Sequence, residues 1–322
     1  MYLAMVAHII FPATATRKEI SVRRPTAVKI ESGWEMLTDT AVIVLPRNVS
    51  YFDKTKVREV FKKGDEVIIK LGYNGNLETE FTGYISKVSA DVPIKIKCQD
   101  AMYLLKKHPV NMSLKTTNLP SFIKSIVPDD FDVDVMDIDI GTTRWVKTTV
   151  AKVLEKLQED YNIYSYIREG KTLVVGKIYS DDTTVEKYDF GINVVENQLQ
   201  YKYKEDISIK IDATSTLHNG DKIEVSIGDD DGEVRQLSYY NIAFKKELER
   251  LAHLDYDKFK IDGFEGAIST WGIPSVKHGY VAELEGQQYP DRNGKYYIKK
   301  VTKTFDDSPK YRQKLDLDKR PD

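Results

Sequence analysis

The residues whose spacing most suggests chemistry are acidic. Six aspartates fall between Asp129 and Asp139: Asp129, Asp130, Asp132, Asp134, Asp137 and Asp139. Alternate residues of an extended segment share a face, so Asp132 and Asp134 present hard oxygen donors together, as calcium prefers. A calcium loop also needs a glycine at its sixth position and a distal glutamate, and neither occurs here at that spacing. The stretch reads as a solvated strand face whose charges discourage edge pairing. Ordered calcium at Asp132, Asp134, Asp137 and Asp139 would contradict that reading. The run Gly228-Asp229-Asp230-Asp231-Gly232-Glu233 has its glycines at the wrong offset for a metal loop and reads as a hydrated turn. A glycosidase needs only two carboxylates about 5–10 Å apart. With 50 acidic residues in the chain, that chemistry stays open.

The other candidates are weaker. His8, His108, His218, His253 and His278 include no two at metal-ligand spacing, and no cysteine pair accompanies them. The single cysteine, Cys98, rules out an intrachain disulfide. It falls on the apolar side of Ile94-Lys95-Ile96-Lys97-Cys98 and reads as a small buried side chain. There is no nucleophile elbow, phosphate-cradling loop or dinucleotide fingerprint. No catalytic, cofactor-binding or metal-binding residue is assigned, and no cofactor is expected.

The elements that would position any site follow from periodicity. Glu66–Leu71 and Glu80–Ile85 flank Tyr73-Asn74-Gly75-Asn76, a hairpin signal because Asn-Gly takes positive φ readily. Ala41–Leu45 and Ile94–Cys98 add further strands, and the group suggests a small antiparallel barrel or sandwich. Asp100 is placed to cap a short helix through Leu104 and Leu105. Pro120 opens a second, with Phe122, Ile123 and Ile126 on one face. The clearest helix spans about 148–161, where Val150, Val153, Leu154, Leu157 and Tyr161 form one apolar stripe. A hairpin, Tyr164–Ile167 with Leu173–Val175, follows it. Strands return from about residue 195, with strict alternation at Ile207–Ile211 and Ile223–Ile227. A helix over about 242–254, with Leu248, Leu251 and Ala252 inward, interrupts them. The expected fold class is α+β, mainly β: two antiparallel β-barrels with an α/β domain inserted between them. The domains are 1–104, 105–190 and 191–322.

Bulk properties narrow the partners. The chain has 322 residues, 41% hydrophobic and 30% charged, the mix of a folded domain protein. Its net charge of −2 draws in neither nucleic acid nor an anionic membrane. The apolar run Met1–Pro12 is too short to span a bilayer and lacks a basic leader, so it reads as a first strand, in a protein made and folded in a cytoplasm. The basic pairs Arg17-Lys18, Arg23-Arg24 and Lys62-Lys63 are brief and mixed with acids, unlike a nucleic-acid-binding patch.

Three segments, taken together, resemble a known family. Phe61–Tyr73, Phe81–Ile85 and Ile96–Lys106 are similar to the first barrel of late-control-protein-D-like hubs of contractile phage tails, relatives of the hub part of type VI secretion spikes. Thr148–Val175 resembles their middle domain. Gly263–Leu317 resembles the end of their second barrel, with landmarks at Gly266, Gly272-Ile273-Pro274, Gly279, Gly294–Ile298 and Tyr311–Leu315. The resemblance implies a trimer whose six barrels match a sixfold tail tube above and a threefold spike below. It implies a homotrimeric, non-enzymatic protein of the virion tail or baseplate, assembled in the bacterial cytoplasm. Its partners would be a tube protein and a separate spike protein, with DNA or effector passing through the lumen without sequence-specific binding. A carbohydrate-acting hydrolase and an adhesion module are the alternatives. Trimer faces would draw on the 20 tyrosines, for which Tyr239, Tyr240, Tyr289, Tyr296 and Tyr297 are the interface candidates.

Overall fold

The computed structural model describes residues 3–46, 60–89, 92–114, 118–140, 143–179, 183–217, 219–306, 308 and 310–321. The first β half comprises β1 (Met5–Phe11), β2 (Ile20–Val22), β3 (Ala27–Gly33), β4 (Thr40–Val44), β5 (Glu66–Tyr73), β6 (Asn76–Val88) and β7 (Lys95–Gln99). They hydrogen-bond in the order β3-β4-β7-β6-β5-β1-β2, antiparallel throughout. Period-two alternation sends Ile9, Ile43, Ile69, Ile96 and Cys98 into one core. The β5–β6 turn places Asn74 at φ 52° and Gly75 at φ 89°, as a two-residue hairpin loop requires.

An α/β unit follows. It contains α1 (Met102–Leu105), β8 (Pro109–Leu114), α2 (Leu119–Ile126), β9 (Asp132–Val135), β10 (Thr143–Thr149), α3 (Val150–Tyr161), β11 (Ser165–Arg168) and β12 (Thr172–Val175). Caps set its helix starts. Asn118 accepts a bond from the Ser121 amide at 3.1 Å and Thr149 from the Lys152 amide at 3.4 Å. The apolar stripe of α3 is buried at Val150, Val153, Leu154 and Leu157, packed with Phe122 and Ile123 of α2. The N-cap residue of α1 is Ala101, one position after the expected Asp100, whose Oδ1 accepts the Met102 amide at 2.9 Å.

The last third contains β13 (Val185–Asp189), β14 (Val194–Lys202), β15 (Ile209–Thr216), β16 (Lys222–Gly228), β17 (Glu233–Tyr240), α4 (Lys245–Phe259), β18 (Gly263–Trp271), β19 (Val281–Glu285), β20 (Gly294–Asp306) and β21 (Lys310–Leu317). The fold class is the expected one, α+β and mainly β. The two β halves are also joined. Strand β20 pairs β19 at its start and β3 from Lys300 to Asp306, so thirteen strands form one sheet.

One placement differs from expectation. The alternating segments at Ile207–Ile211 and Ile223–Ile227 do not enter the second β half. They belong to a separate sheet, β16-β15-β17. Its apolar face is covered by α4, and Ile211, Ala213, Val225, Leu248 and Ala252 form a core of their own. Alternation marks a strand with one buried face, and here a helix close in the chain covers that face. The helix is displaced toward the C-terminus relative to the expected span, and Leu251 is only half-buried. None of the described helices is long and apolar enough to cross a membrane.

Candidate functional site

The five tyrosines expected at an interface have different fates. Tyr296 is buried, and its hydroxyl accepts bonds from the Phe264 amide (2.9 Å) and Arg320 (2.9 and 3.2 Å). That ring is committed inside the protomer and offers a partner no surface. Tyr297 stacks on Tyr179 at 3.9 Å. Tyr239 donates to Asp255 at 2.5 Å, and Tyr240 donates to the Tyr161 carbonyl at 3.1 Å, linking β17 to the end of α3. Burial raises the hydroxyl pKa of both above the ordinary tyrosine range. Only Tyr289 stands out from the surface, 49% exposed.

The most concentrated polar chemistry lies where the two β halves meet. In the β5–β6 pairing Ile69 faces Phe81 and the next residue, Lys70, faces Thr79, which leaves Glu80 as the extra residue of a β-bulge. A bulge re-aims a side chain. Here it turns Glu80 toward Lys303 of β20, with which it pairs, the two side chains being 2% and 6% exposed. Ser275 donates to Glu80 Oε2 at 2.9 Å and receives a bond from Lys303 at 2.7 Å. The Tyr311 hydroxyl donates to Glu80 Oε1 at 2.8 Å, and the Tyr73 hydroxyl donates to the Tyr311 carbonyl at 2.6 Å. Burial lowers the Lys303 pKa although Glu80 opposes it, and burial together with the Glu80 charge raises that of Tyr311. The Tyr311 ring lies against Gly272, where an added Cβ would fall 2.2 Å from it, so a side chain there would displace the ring.

A second contact braces the same junction from the α/β side. The Tyr179 hydroxyl accepts a 2.9 Å bond from Trp34 Nε1 and donates to Asp318. Chain segments from all three regions thus converge on two polar clusters, one buried around Glu80 and one half-buried around Tyr179.

At the far end of the sheet β14 is an edge, paired among the described residues only with β18. Asn197 blunts it by accepting the Leu199 amide at 2.9 Å. Beside this edge Phe190, Leu199, Tyr201, Phe264 and Tyr289 line a cavity of about 660 Å³. Ile192 stands at its rim, 78% exposed. Arg292 lies over the rings of Tyr289 and Tyr201, at 4.2 and 5.0 Å.

The remaining sequence candidates resolve as follows. In the acidic stretch Asp134 is engaged by Arg168 (2.8 Å) and Lys177 (2.6 Å), and Asp130 by Lys171 (2.5 Å). The hydrogen bonds from these lysines lead in lowering the carboxyl pKa values. In the turn after β16, Asp229 pairs with Lys260 at 3.2 Å. Burial pushes the Cys98 thiol up to about 12. His8 bonds Ser21 at 2.6 Å, and His253 is exposed. His278 packs edge-on against Tyr166 at 4.7 Å, and burial lowers its pKa to about 4. His218 lies outside the described residues. Sequence reading missed Glu80, Lys303 and Ser275 altogether. The signal available was the hairpin itself, whose two strands do not match residue for residue.

This arrangement of strands recurs in solved structures. A tail protein from Neisseria meningitidis superposes with a TM-score of 0.63 at 12% identity, over 99% of this chain and 97% of that one. The 43 kDa tail protein of a Shewanella oneidensis prophage matches with a TM-score of 0.61 at 14% identity, over 97% and 98% of the two chains. The chain has the fold of phage tail proteins. An E. coli component of the type VI secretion system, itself described as structurally similar to bacteriophage T4 tail proteins, shares this tail-protein fold. Its TM-score is 0.56 at 10% identity, over 92% of this chain and 76% of that one. No protein-family model and no curated protein matches the sequence.

Proposed function

We propose that the chain is a structural hub subunit of a phage-type tail or related injection machine, located in the tail or baseplate. Three copies would close a ring that joins a sixfold tube to a threefold spike. The observation that carries this reading is the end-to-end match to tail proteins, 99% of this chain against 97% of one of them. A subunit that adapts sixfold to threefold symmetry needs two similar faces held at a fixed angle. The ladder from β3 to β20 and the Glu80–Lys303 cluster supply that rigidity. The functional units are taken as 1–104, 105–190 and 191–322, with β15 to α4 as a lobe of the last. The role is mechanical, with a tube protein and a spike protein as neighbours and DNA or effector crossing the ring. Ring contacts are assigned to the open sheet edges at β14 and β2, with Ile192 and Tyr289 as anchors near β14.

Light scattering over a concentration series tests this directly. The expected mass is that of a trimer, alone or with the neighbouring tail proteins present. A chain that stays monomeric in both conditions removes the hub reading, whatever its fold.

A further inference from the structure

Lysines that lie far apart in the sequence are gathered by the register of the large sheet. On the face turned away from the cores, one row runs from Thr304 of β20 through Lys29, Val42 and Lys97 to Lys87 of β6. These side chains alternate with Val28, Ile30, Ala41, Ile43, Ile96 and Cys98, which fill the first core. Lys95 adds a further cation two residues along β7, opposite Val44. Lys29, Lys87, Lys95 and Lys97 are all exposed. At the usual strand spacing of about 4.8 Å, the row is roughly 19 Å long.

A second bulge completes the row. In the β6–β7 pairing Ile85 faces Cys98 and Lys87 faces Lys97, which leaves Ser86 as the extra residue. Unbroken, the register would set Ser86 opposite Lys97. Like charges directly opposite one another destabilise a strand pair. The nearby carboxylates do not answer this repulsion. Glu31 is shared between Lys29 at 3.3 Å and Lys300 at 3.2 Å, and Asp306 accepts the Ser308 amide at 3.0 Å. Among the described residues Lys87, Lys95 and Lys97 form no ion pair. A bound anion would relieve the repulsion between Lys87 and Lys97.

We propose that this lysine face binds duplex DNA through its phosphates, without reading sequence, and that it lines the channel of the ring; the channel rests on the hub reading, the binding does not. A duplex presents a negative charge about every 1.7 Å of its axis, a denser array than the lysines it meets, so contacts can be exchanged as it slides. A single strand is held by aromatic side chains on which its bases stack, and the row has none. An acidic protein partner needs anchors seated in pockets. Neither the row nor Lys95 lines the cavities of about 390, 460 and 660 Å³. Closing a sheet edge to edge turns one face inward, and the β3–β20 ladder carries this face from the first β half into the second. The near-zero net charge of the whole chain hides a face on which cations prevail.

Fluorescence anisotropy of the full chain with a labelled, mixed-sequence duplex tests the site. With four lysines each meeting one phosphate, affinity should fall roughly 100-fold between about 50 and 200 mM salt. Lys87→Gln with Lys97→Gln should reduce that fall to roughly tenfold, because two phosphate contacts are gone. Lys245→Gln with Lys246→Gln removes the same charge from exposed positions of α4 and should leave the fall unchanged. No binding at about 50 mM salt, equal effects of the two double variants, or displacement of the duplex by polyglutamate of equal charge overturns the DNA site. The channel is tested on the trimer. There Lys87 and Lys97 should react with a small amine reagent but not with the same reagent tied to a large dextran, and reaction with both overturns the inward placement. A monomer that binds DNA with this salt dependence keeps the site and removes the channel. A trimer that binds none keeps the hub and removes the site.

Discussion

Glu80 and Lys303 show how a single extra residue can change the role of a side chain. Unbroken, the β5–β6 register would set Glu80 opposite Ile69; the bulge gives that place to Phe81 and leaves Glu80 as the extra residue, free to turn toward Lys303. With the bulge it becomes a buried anion. Removing one member of a buried ion pair strands the other, which typically costs 3–5 kcal/mol, whereas replacing both by apolar groups costs much less. We therefore expect Glu80→Leu and Lys303→Met each to lower unfolding free energy by about 3–5 kcal/mol. The double variant should recover at least about 2 kcal/mol relative to the sum of the singles, less any deficit from the Ser275 and Tyr311 hydroxyls left without their acceptor. Urea unfolding of the three variants measures it. Strict additivity would show that the pair is not coupled.

Among the elements, what could be read from sequence was what short range dictates. The β5–β6 hairpin, the turn at Asn74-Gly75 and the α3 stripe all depend on residues within a few positions of each other. The β15 and β16 alternation was legible as strand, but not which sheet it would join, because period two identifies a buried face and not what covers it. Tyr296 was legible as a tyrosine on a strand, while its direction depends on Phe264 and Arg320, which are distant in sequence. The β15–α4 lobe has its own small core and touches the body through few side-chain bonds, among them Tyr240 to Tyr161 and Lys222 to the Asp160 carbonyl. Small cores of this kind open at lower free energy than the global unfolding. Leu248→Ala should cost the lobe about 2–5 kcal/mol. Hydrogen exchange should rise in β15, β16 and α4 while β5 and β6 keep their protection. Equal loss of protection in both regions would make the lobe one cooperative unit with the sheet.

At the scale of the whole molecule, the proposed trimer would close through the sheet edges at β14 and β2. Ile192 and Tyr289 are exposed, so acidic substitution at either leaves the described cores untouched. Ile192→Glu with Tyr289→Glu should shift the light-scattering mass toward monomer while circular dichroism and melting temperature stay near wild type. An unchanged trimer would move the ring contact away from β14. The β3–β20 ladder has a further consequence, for the chain as it leaves the ribosome. Lys300 reaches back to Glu31, 269 positions earlier. At typical synthesis rates of about 5–20 residues per second, β3 waits roughly 15–50 s for its neighbour. During that interval its edge is unpaired, and the first core lacks Phe305 and Tyr311. Nascent chains crowded on one polysome would then expose identical unpaired strands to one another. A chain interrupted before residue 300 would keep that exposure permanently, so it should be captured by chaperones or aggregate, not persist as a folded half.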